Sequence, residues 1–339
     1  MIKRIGINWK AMESPDYCEQ PLLLNPEDSY IAKFDEYTKD RPSYVAWYTP
    51  TGGDGMEGEM SDTGYCADDE IPYHEHNRGH EVFLVEGGTV EVTTRGLRTI
   101  VHEGDIVFVP PCTSHGFKYL DQPTIWREWF QGIKMNEGLL EQRRFREYGD
   151  ASISAAHFDQ KIARRLGTDW FSFKPEARDV PKEEIRNIRT YDFAYETFEF
   201  PGVKMLQKIA RYEMGGNIEF WQYRMDKGFK ISANMWNAHG IRWSVFKGSV
   251  EVKIPNHESF VANVHDIINI PAYMPCELIA GEDGTVVYDY ACKGFLFRAL
   301  EYIRAMQAQD PDALKDEAKL AQLLEEKYDL FTMGSFQKA

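Results

Sequence analysis

The sequence holds no CxxC pair, and its five cysteines, Cys18, Cys66, Cys112, Cys276 and Cys292, are scattered through 339 residues. That excludes a disulfide scaffold and predicts a reduced, cytoplasmic protein. Long apolar runs are missing as well. No stretch approaches the ~20 apolar residues of a membrane helix. The opening MIKRIGINWKAM carries three basic residues but no apolar core for a signal peptide. Positive charge is scarce: 39 Lys and Arg face 54 Asp and Glu, a net charge of −15. Such a surface repels phosphate backbones and anionic lipid, so neither nucleic acid nor a membrane surface is an expected partner. Apolar residues are plentiful, at 43% with 14% aromatic. They suffice for one large core or two ordinary ones.

Short strand-like runs dominate residues 41–132, among them SYVAWYT, EVFLVEG, TVEVTT, DIVFVP and TIWREWF. Gly, Pro and Asp clusters separate them, as in an antiparallel barrel or sandwich. NEGLLEQRRFREY and ISAAHFDQKIARRL read as helices, and FKPEARDVPKEEIRNI as a linker over the surface. Strand-like runs resume with NIEFWQYRM, IRWSVFKG, SVEVKI and DIINIPA. The last part reads as helical. Leu296, Leu300 and Ile303 share a face, and Asp310-Pro311 supplies an N-cap and a first-turn proline for a final helix.

The two β-regions repeat one another. GGTVEV from Gly87 matches KGSVEV from Lys247, 160 residues on, and DIVFVP from Asp105 matches DIINIP from Asp266, 161 residues on. Two matches in the same order at nearly one offset point to duplication of a β-domain.

The chemistry gathers in the first copy, in YHEHNRGHEVFLVEGG. His74 and His76 are two residues apart, so on a strand they face one side. Glu81 opens the next run, and Phe83 and Val85 share its parity. His80 and Glu75 have the opposite parity and are expected to point outward. Downstream, GDIVFVPPCTSHGF brings a turn, a strand, a proline and then His115. Three imidazoles and one carboxylate suit a borderline divalent metal. Cys112 reads as a small residue filling the turn before His115, and His102 and His265 as ordinary strand-end residues. On the later run, either Trp126 and Glu128 or Arg127 and Trp129 face the interior; both choices stay open.

This pattern resembles the cupin superfamily. The first family motif, G-x5-H-x-H-x3,4-E-x6-G, is matched by His74, His76, Glu81 and Gly88, without its opening glycine. The second, G-x5-P-x-G-x2-H, is matched by Gly104, Pro110 and His115, with Cys112 where the family has glycine. With the repeat, the chain resembles a bicupin. The resemblance implies an all-β fold of two double-stranded β-helix (jelly-roll) barrels with a helical linker and a helical C-terminus. The implied divisions are an N-terminal extension (1–40), a metal-binding barrel (41–132), a helical linker (133–200), a degenerate second barrel (201–294) and C-terminal helices (295–339).

In the second copy, the ligand positions fall on Asn234, Trp236, Ile241 and Cys276, with His239 nearby. One histidine cannot hold a metal alone, so that barrel is expected to be metal-free, with a structural role or a second small-molecule pocket. One divalent transition metal per chain is therefore expected: Fe, Mn, Ni, Zn, Co or Cu. Its ligands would be His74, His76, Glu81 and His115, with Glu81 also the candidate catalytic residue. Three histidines plus a glutamate resemble the quercetin-type dioxygenase site more than the gentisate-type one. The expected function is a metal-dependent, dioxygenase-like oxidoreductase acting on an oxygenated, aromatic small molecule. The alternatives are a non-redox isomerase or lyase on a hydroxy-carbonyl substrate, and a non-catalytic small-molecule-binding protein. The expected partner is a small-molecule substrate; assembly into a homo-oligomer such as a dimer stays open.

Overall fold

A computed structural model describes residues 22–24, 30–33, 44–49, 59–65, 67–68, 70–121, 124–132, 161, 163–165, 167–171, 173, 175–216, 218–233, 241–255, 259–270, 276–292, 296–312 and 315–328. The N-terminal part supplies β1 (Leu22–Leu24), β2 (Tyr30–Lys33), β3 (Tyr44–Thr49) and β4 (Glu59–Tyr65). The motif region forms β5 (Glu70–His76), β6 (His80–Gly87), β7 (Thr89–Thr94) and β8 (Leu97–His102). It continues as β9 (Ile106–Val109), β10 (His115–Tyr119) and β11 (Thr124–Gln131). Three short strands follow: β12 (Thr168–Trp170), β13 (Arg178–Asp179) and β14 (Ile188–Arg189).

The second region contains β15 (Thr197–Phe200), β16 (Val203–Ile209), β17 (Ile218–Met225), β18 (Lys230–Ala233) and β19 (Ile241–Lys247). It ends with β20 (Val250–Lys253), β21 (Phe260–Ala262), β22 (Ile267–Ile270), β23 (Cys276–Ala280) and β24 (Thr285–Cys292). Helices α1 (Leu296–Gln309) and α2 (Glu317–Tyr328) close the chain. Among the described residues no helix is long and apolar enough to cross a membrane.

The chain forms two compact units, one centred on residues 57–192 and one on 193–339. The first is built from two facing sheets, ordered β12-β5-β10-β7-β8-β13 and β14-β9-β6-β11-β4-β3-β2. Strand β6 lies between β9 and β11, so sequence neighbours alternate between sheets and wind into a jelly roll. The alternation of TVEVTT sends Val90 and Val92 inward from one sheet, where they meet Phe83, Val85, Val107 and Trp126 from the other. Phe83, Phe117 and Trp126 pack with ring centroids 4.8–5.0 Å apart, a tight aromatic floor for the barrel.

The second unit repeats the plan with sheets β1-β22-β19-β24-β17-β16-β15 and β18-β23-β20-β21. The repeat extends to single hydrogen bonds. Gly104 N donates to Val85 O and Val85 N to Asp105 O; His265 N donates to Val245 O and Val245 N to Asp266 O. Gly104 and His265 both take positive φ, 86° and 73°. His265 is thus a turn residue, held in the left-handed region at the place where the first copy uses glycine.

In its described part the linker is more than the helical linker expected over 133–200. Residues 133–160 lie outside the described residues, as does the first expected helix. Within the described part of this span α-helical geometry occurs at 161 and 163–165, and a single 3-10 turn at Lys182–Glu184. From residue 168 onward the chain adds β12, β13 and β14 to the first barrel's sheets. The segment FKPEARDVPKEEIRNI does not simply run over the surface. Its Val180 and Ile185, with Ile188 in β14, are buried in the first core, and Lys182 Nζ meets Asp105 Oδ2 at 2.5 Å. The reason is that three apolar side chains spaced among charges can reach an open barrel end, a contact invisible to composition. Likewise the N-terminal extension contributes to both units: β1 pairs with β22, and β2 with β3.

Candidate metal centre

The HEH run folds as the end of β5, where His74 and His76 are buried and Glu75 between them is not. Strand β10 begins at His115, directly opposite His74 in the antiparallel register. The three imidazoles therefore come from one sheet. Glu81 comes from β6 in the facing sheet, where it is 3% exposed. The centre thus bridges the two layers. The ligand atoms of His74, His76, Glu81 and His115 all lie within 4.8 Å of one another. Among the described residues they are the only such group.

Each imidazole is held from behind. His74 Nδ1 donates to Pro72 O at 2.8 Å, and His115 Nδ1 to Thr113 O at 2.9 Å. His76 Nδ1 lies 2.8 Å from the Thr168 hydroxyl. A carbonyl can only accept, so in His74 and His115 the proton sits on Nδ1 and a neutral ring presents the Nε2 lone pair. The carboxylate is close: His76 Nε2 to Glu81 Oε1 is 2.9 Å, and His115 Nε2 to Glu81 Oε2 is 3.1 Å. Yet His76 Nε2, His115 Nε2 and Glu81 Oε2 are buried without a hydrogen bond of acceptable geometry. Lone pairs facing a carboxylate at this distance call for a cation among them. The donor set, the orientation of the rings and these buried atoms all fit a divalent transition metal.

Electrostatics agree. Burial, helped by the neighbouring His115 and His76 rings, holds His74 well below the ordinary imidazole value, so it stays neutral and ready to ligate. Burial opposes ionisation of Glu81. The electrostatic interaction with the His76 ring, with the hydrogen-bonding reach of His115 and His76, outweighs it and holds the carboxyl well below the ordinary carboxylate range.

Other residues singled out in the sequence fall into place. His80 stays off the centre and stacks against Phe108, with centroids 5.9 Å apart. Trp126 packs inside the barrel, so Trp126 and Glu128 form the inward class; Arg127 points the other way and pairs with Glu86 at 2.8 Å. Cys112 is exposed, has φ +57°, and donates its N–H to His76 O at 2.7 Å. A left-handed residue is needed there, which explains the glycine of the family motif. His102 ends β8 as expected. In the second barrel, Asn234, Trp236 and His239 lie outside the described residues. Cys276 belongs to the apolar core there, and burial pushes its thiol up to about 12, so it is no ready thiolate ligand.

Two contributors were missed. Strand β12, some ninety residues downstream, brings Thr168 to His76 and lays Trp170 on His74 with ring centroids 4.3 Å apart. Only the pairing of β12 with β5 reveals them; TDW carries no signal by itself.

Comparison with known proteins agrees with this architecture. Residues 67–126 match the family model described as Cupin domain. Among curated proteins no match was found. Among solved structures, salicylate 1,2-dioxygenase from Pseudaminobacter salicylatoxidans is similar at 15% identity and TM-score 0.51, over 73% of this chain and 75% of that one. An oxalate decarboxylase is similar at 13% identity and TM-score 0.50, over 80% of this chain and 76% of that one. At these identities the likeness is one of fold.

Proposed function

We propose that the first barrel, whose residues 67–126 match the Cupin domain model, houses the metal centre of a dioxygenase-like enzyme acting on an oxygenated, aromatic small molecule. The observation that carries this reading is the convergence of three Nε2 atoms on Glu81, with every Nδ1 already engaged. His74, His76, Glu81 and His115 would hold one metal per chain. A bound transition metal would supply Lewis acidity and redox capacity at that point.

The surrounding residues have separate tasks. Glu81 contributes the charge that offsets the cation, and its oxygens are where a substrate hydroxyl would pass its proton. The barrel floor of Phe83, Phe117 and Trp126 excludes water below the centre. Trp170, 43% exposed and stacked on His74, offers a flat face beside it. That aromatic frame favours a planar ring with adjacent oxygens over an aliphatic acid.

The test combines elemental analysis with oxygen uptake on catechols, dihydroxybenzoates and flavonols. We expect about one transition metal per chain and oxygen consumption that His76→Ala abolishes. Turnover that continues under strict anaerobiosis would replace this reading with a non-redox isomerase or lyase. Metal-free protein with full activity would remove the centre from the reaction.

A further inference from the structure

His74 is held differently from the other two imidazoles. Its Nδ1 bonds to Pro72 O, two residues back on its own strand. Its ring meets three others: His115 at 4.2 Å, Trp170 at 4.3 Å and His76 at 5.0 Å between centroids. Two of those are fellow ligands, whose own places the metal helps to set. Trp170 alone among them can hold the ring without it. His115, by contrast, also rests on Phe83 and Phe117 of the barrel floor, and His76 reaches the Thr168 hydroxyl.

Thr168 and Trp170 are two apart on β12, so they share the face that meets His76 and His74. That register is fixed from both ends. Asn77 N donates to Gly167 O at 2.8 Å, and Phe171 N to Tyr73 O at 3.0 Å. Gly167 takes φ +85°, and a Cβ there would collide with the Asn77 side chain. A slip of one residue would turn Asp169 inward in place of both. The indole lies 28° from the plane of the His74 ring. Trp170 is 43% exposed and His74 only 4%, so on this side the border between centre and solvent runs through one stack. Among the described residues the indole has no second ring contact and no hydrogen bond. The plainer reading makes Trp170 an ordinary edge-strand apolar residue. It lies outside the barrel's apolar core cluster, however, and its one ring contact is a ligand.

We propose that Trp170 is a positioning residue of the metal centre: its indole fixes the plane of the His74 ring and screens that ring from water, and so sets how tightly and how long metal is held. The bond to Pro72 O fixes where His74 Nε2 points, and the stack fixes the tilt. Without the indole, the ring gains freedom that metal binding must then remove. The proposal rests on His74 being a ligand, and on nothing about the reaction.

The full chain, dialysed free of metal, is titrated with cobalt(II) alone against a competing chelator, and the cobalt d–d absorption is recorded. Trp170→Ala should weaken cobalt binding ~10-fold or more, as for other outer partners of a ligand. It should also speed release to the chelator and change the d–d spectrum. Trp170→Phe keeps a flat ring and should recover most of the affinity and the native spectrum. Phe173→Ala, at a 61% exposed position of the same segment, should change none of these. Binding by Trp170→Ala within about twofold of the native protein, with the native spectrum, overturns the proposal. So does a loss that Phe173→Ala matches or Trp170→Phe fails to recover, because the segment rather than the ring would then be responsible. A native protein that takes up no cobalt would remove the metal centre and this proposal together. Cobalt binding that depends on Trp170, in a protein that consumes no oxygen with any aromatic substrate, would leave the proposal standing and overturn the dioxygenase reading alone.

Discussion

Replacing Thr168 by valine isolates what a residue remote in sequence does for the metal centre. The hydroxyl lies 2.8 Å from His76 Nδ1, and Thr168 is 4% exposed, so water cannot take over the contact. Valine keeps the shape and the β-branching, and the backbone pairing of Thr168 with His76 should survive. Two effects follow, of different size in different assays. Loss of a ligand's outer partner typically weakens metal binding ~10–100-fold, or about 1.4–2.7 kcal/mol. Leaving a buried ring N–H unpaired costs about 1–3 kcal/mol, but with or without metal alike, so it should appear mainly as lower thermal stability. Chelator competition reads the first and thermal unfolding of the metal-free protein reads the second. Thr168→Ser, which restores a hydroxyl, should recover most of the affinity. If Thr168→Val binds metal within about twofold of the native protein while His76→Ala does not, the hydroxyl does not orient the ring and the argument is wrong.

Glu81→Gln keeps the shape but removes the charge that offsets the cation, and should sharply reduce metal content and turnover. His80→Gln, one residue away on the outward face, should leave both nearly intact; severe loss of activity with metal retained would make His80 catalytic. Arg127→Met removes an ion partner of Glu86, whose side chain is as fully buried as that of Arg127. Unfolding stability should fall by about 3–5 kcal/mol, and Arg127→Met combined with Glu86→Leu should recover much of it; a fully additive double variant would show the pair is not coupled. Asp289 is pushed by burial from 3.8 to about 7, although the Tyr223 hydroxyl donates to it at 2.5 Å. The native state therefore holds a proton that the unfolded chain releases. Stability should fall as pH rises from about 4 through about 7, by at most on the order of 4 kcal/mol. Urea unfolding should show that slope, and Asp289→Asn should flatten it. Cys112→Gly relieves an L-residue held at φ +57° and should raise the melting temperature, a gain of no more than about 1 kcal/mol; a lower one would show that the side chain packs usefully.

Much of the fold is local and could be read directly. Period-two alternation marks strands such as TVEVTT because a pleated chain must send Val90 and Val92 one way and Glu91 the other. Parity likewise separates Glu81 from His80, and a fixed motif spacing brings His115 opposite His74. The repeat was legible because both copies keep the same turn, Gly104-Asp105 and His265-Asp266, under the same hydrogen bonds.

Parity alone could not orient β11, because Trp126, Arg127, Glu128 and Trp129 are all buried. Only the packing of Trp126 on Phe83 and Phe117 decides which class faces inward. The linker was misjudged for a similar reason: Val180, Ile185 and Ile188 look too sparse for a core until the barrel end they fill is present. Thr168 and Trp170 reach the centre through strand pairing across ninety-odd residues, and Glu219 meets the Phe297 N–H through the docking of α1. Residue identities and spacings along one strand are properties of the chain, so the sequence alone determined the strands, the duplication and the four candidate ligands. Which distant segment closes on them depends on long-range contacts that carry no local pattern, and tertiary structure alone decided that.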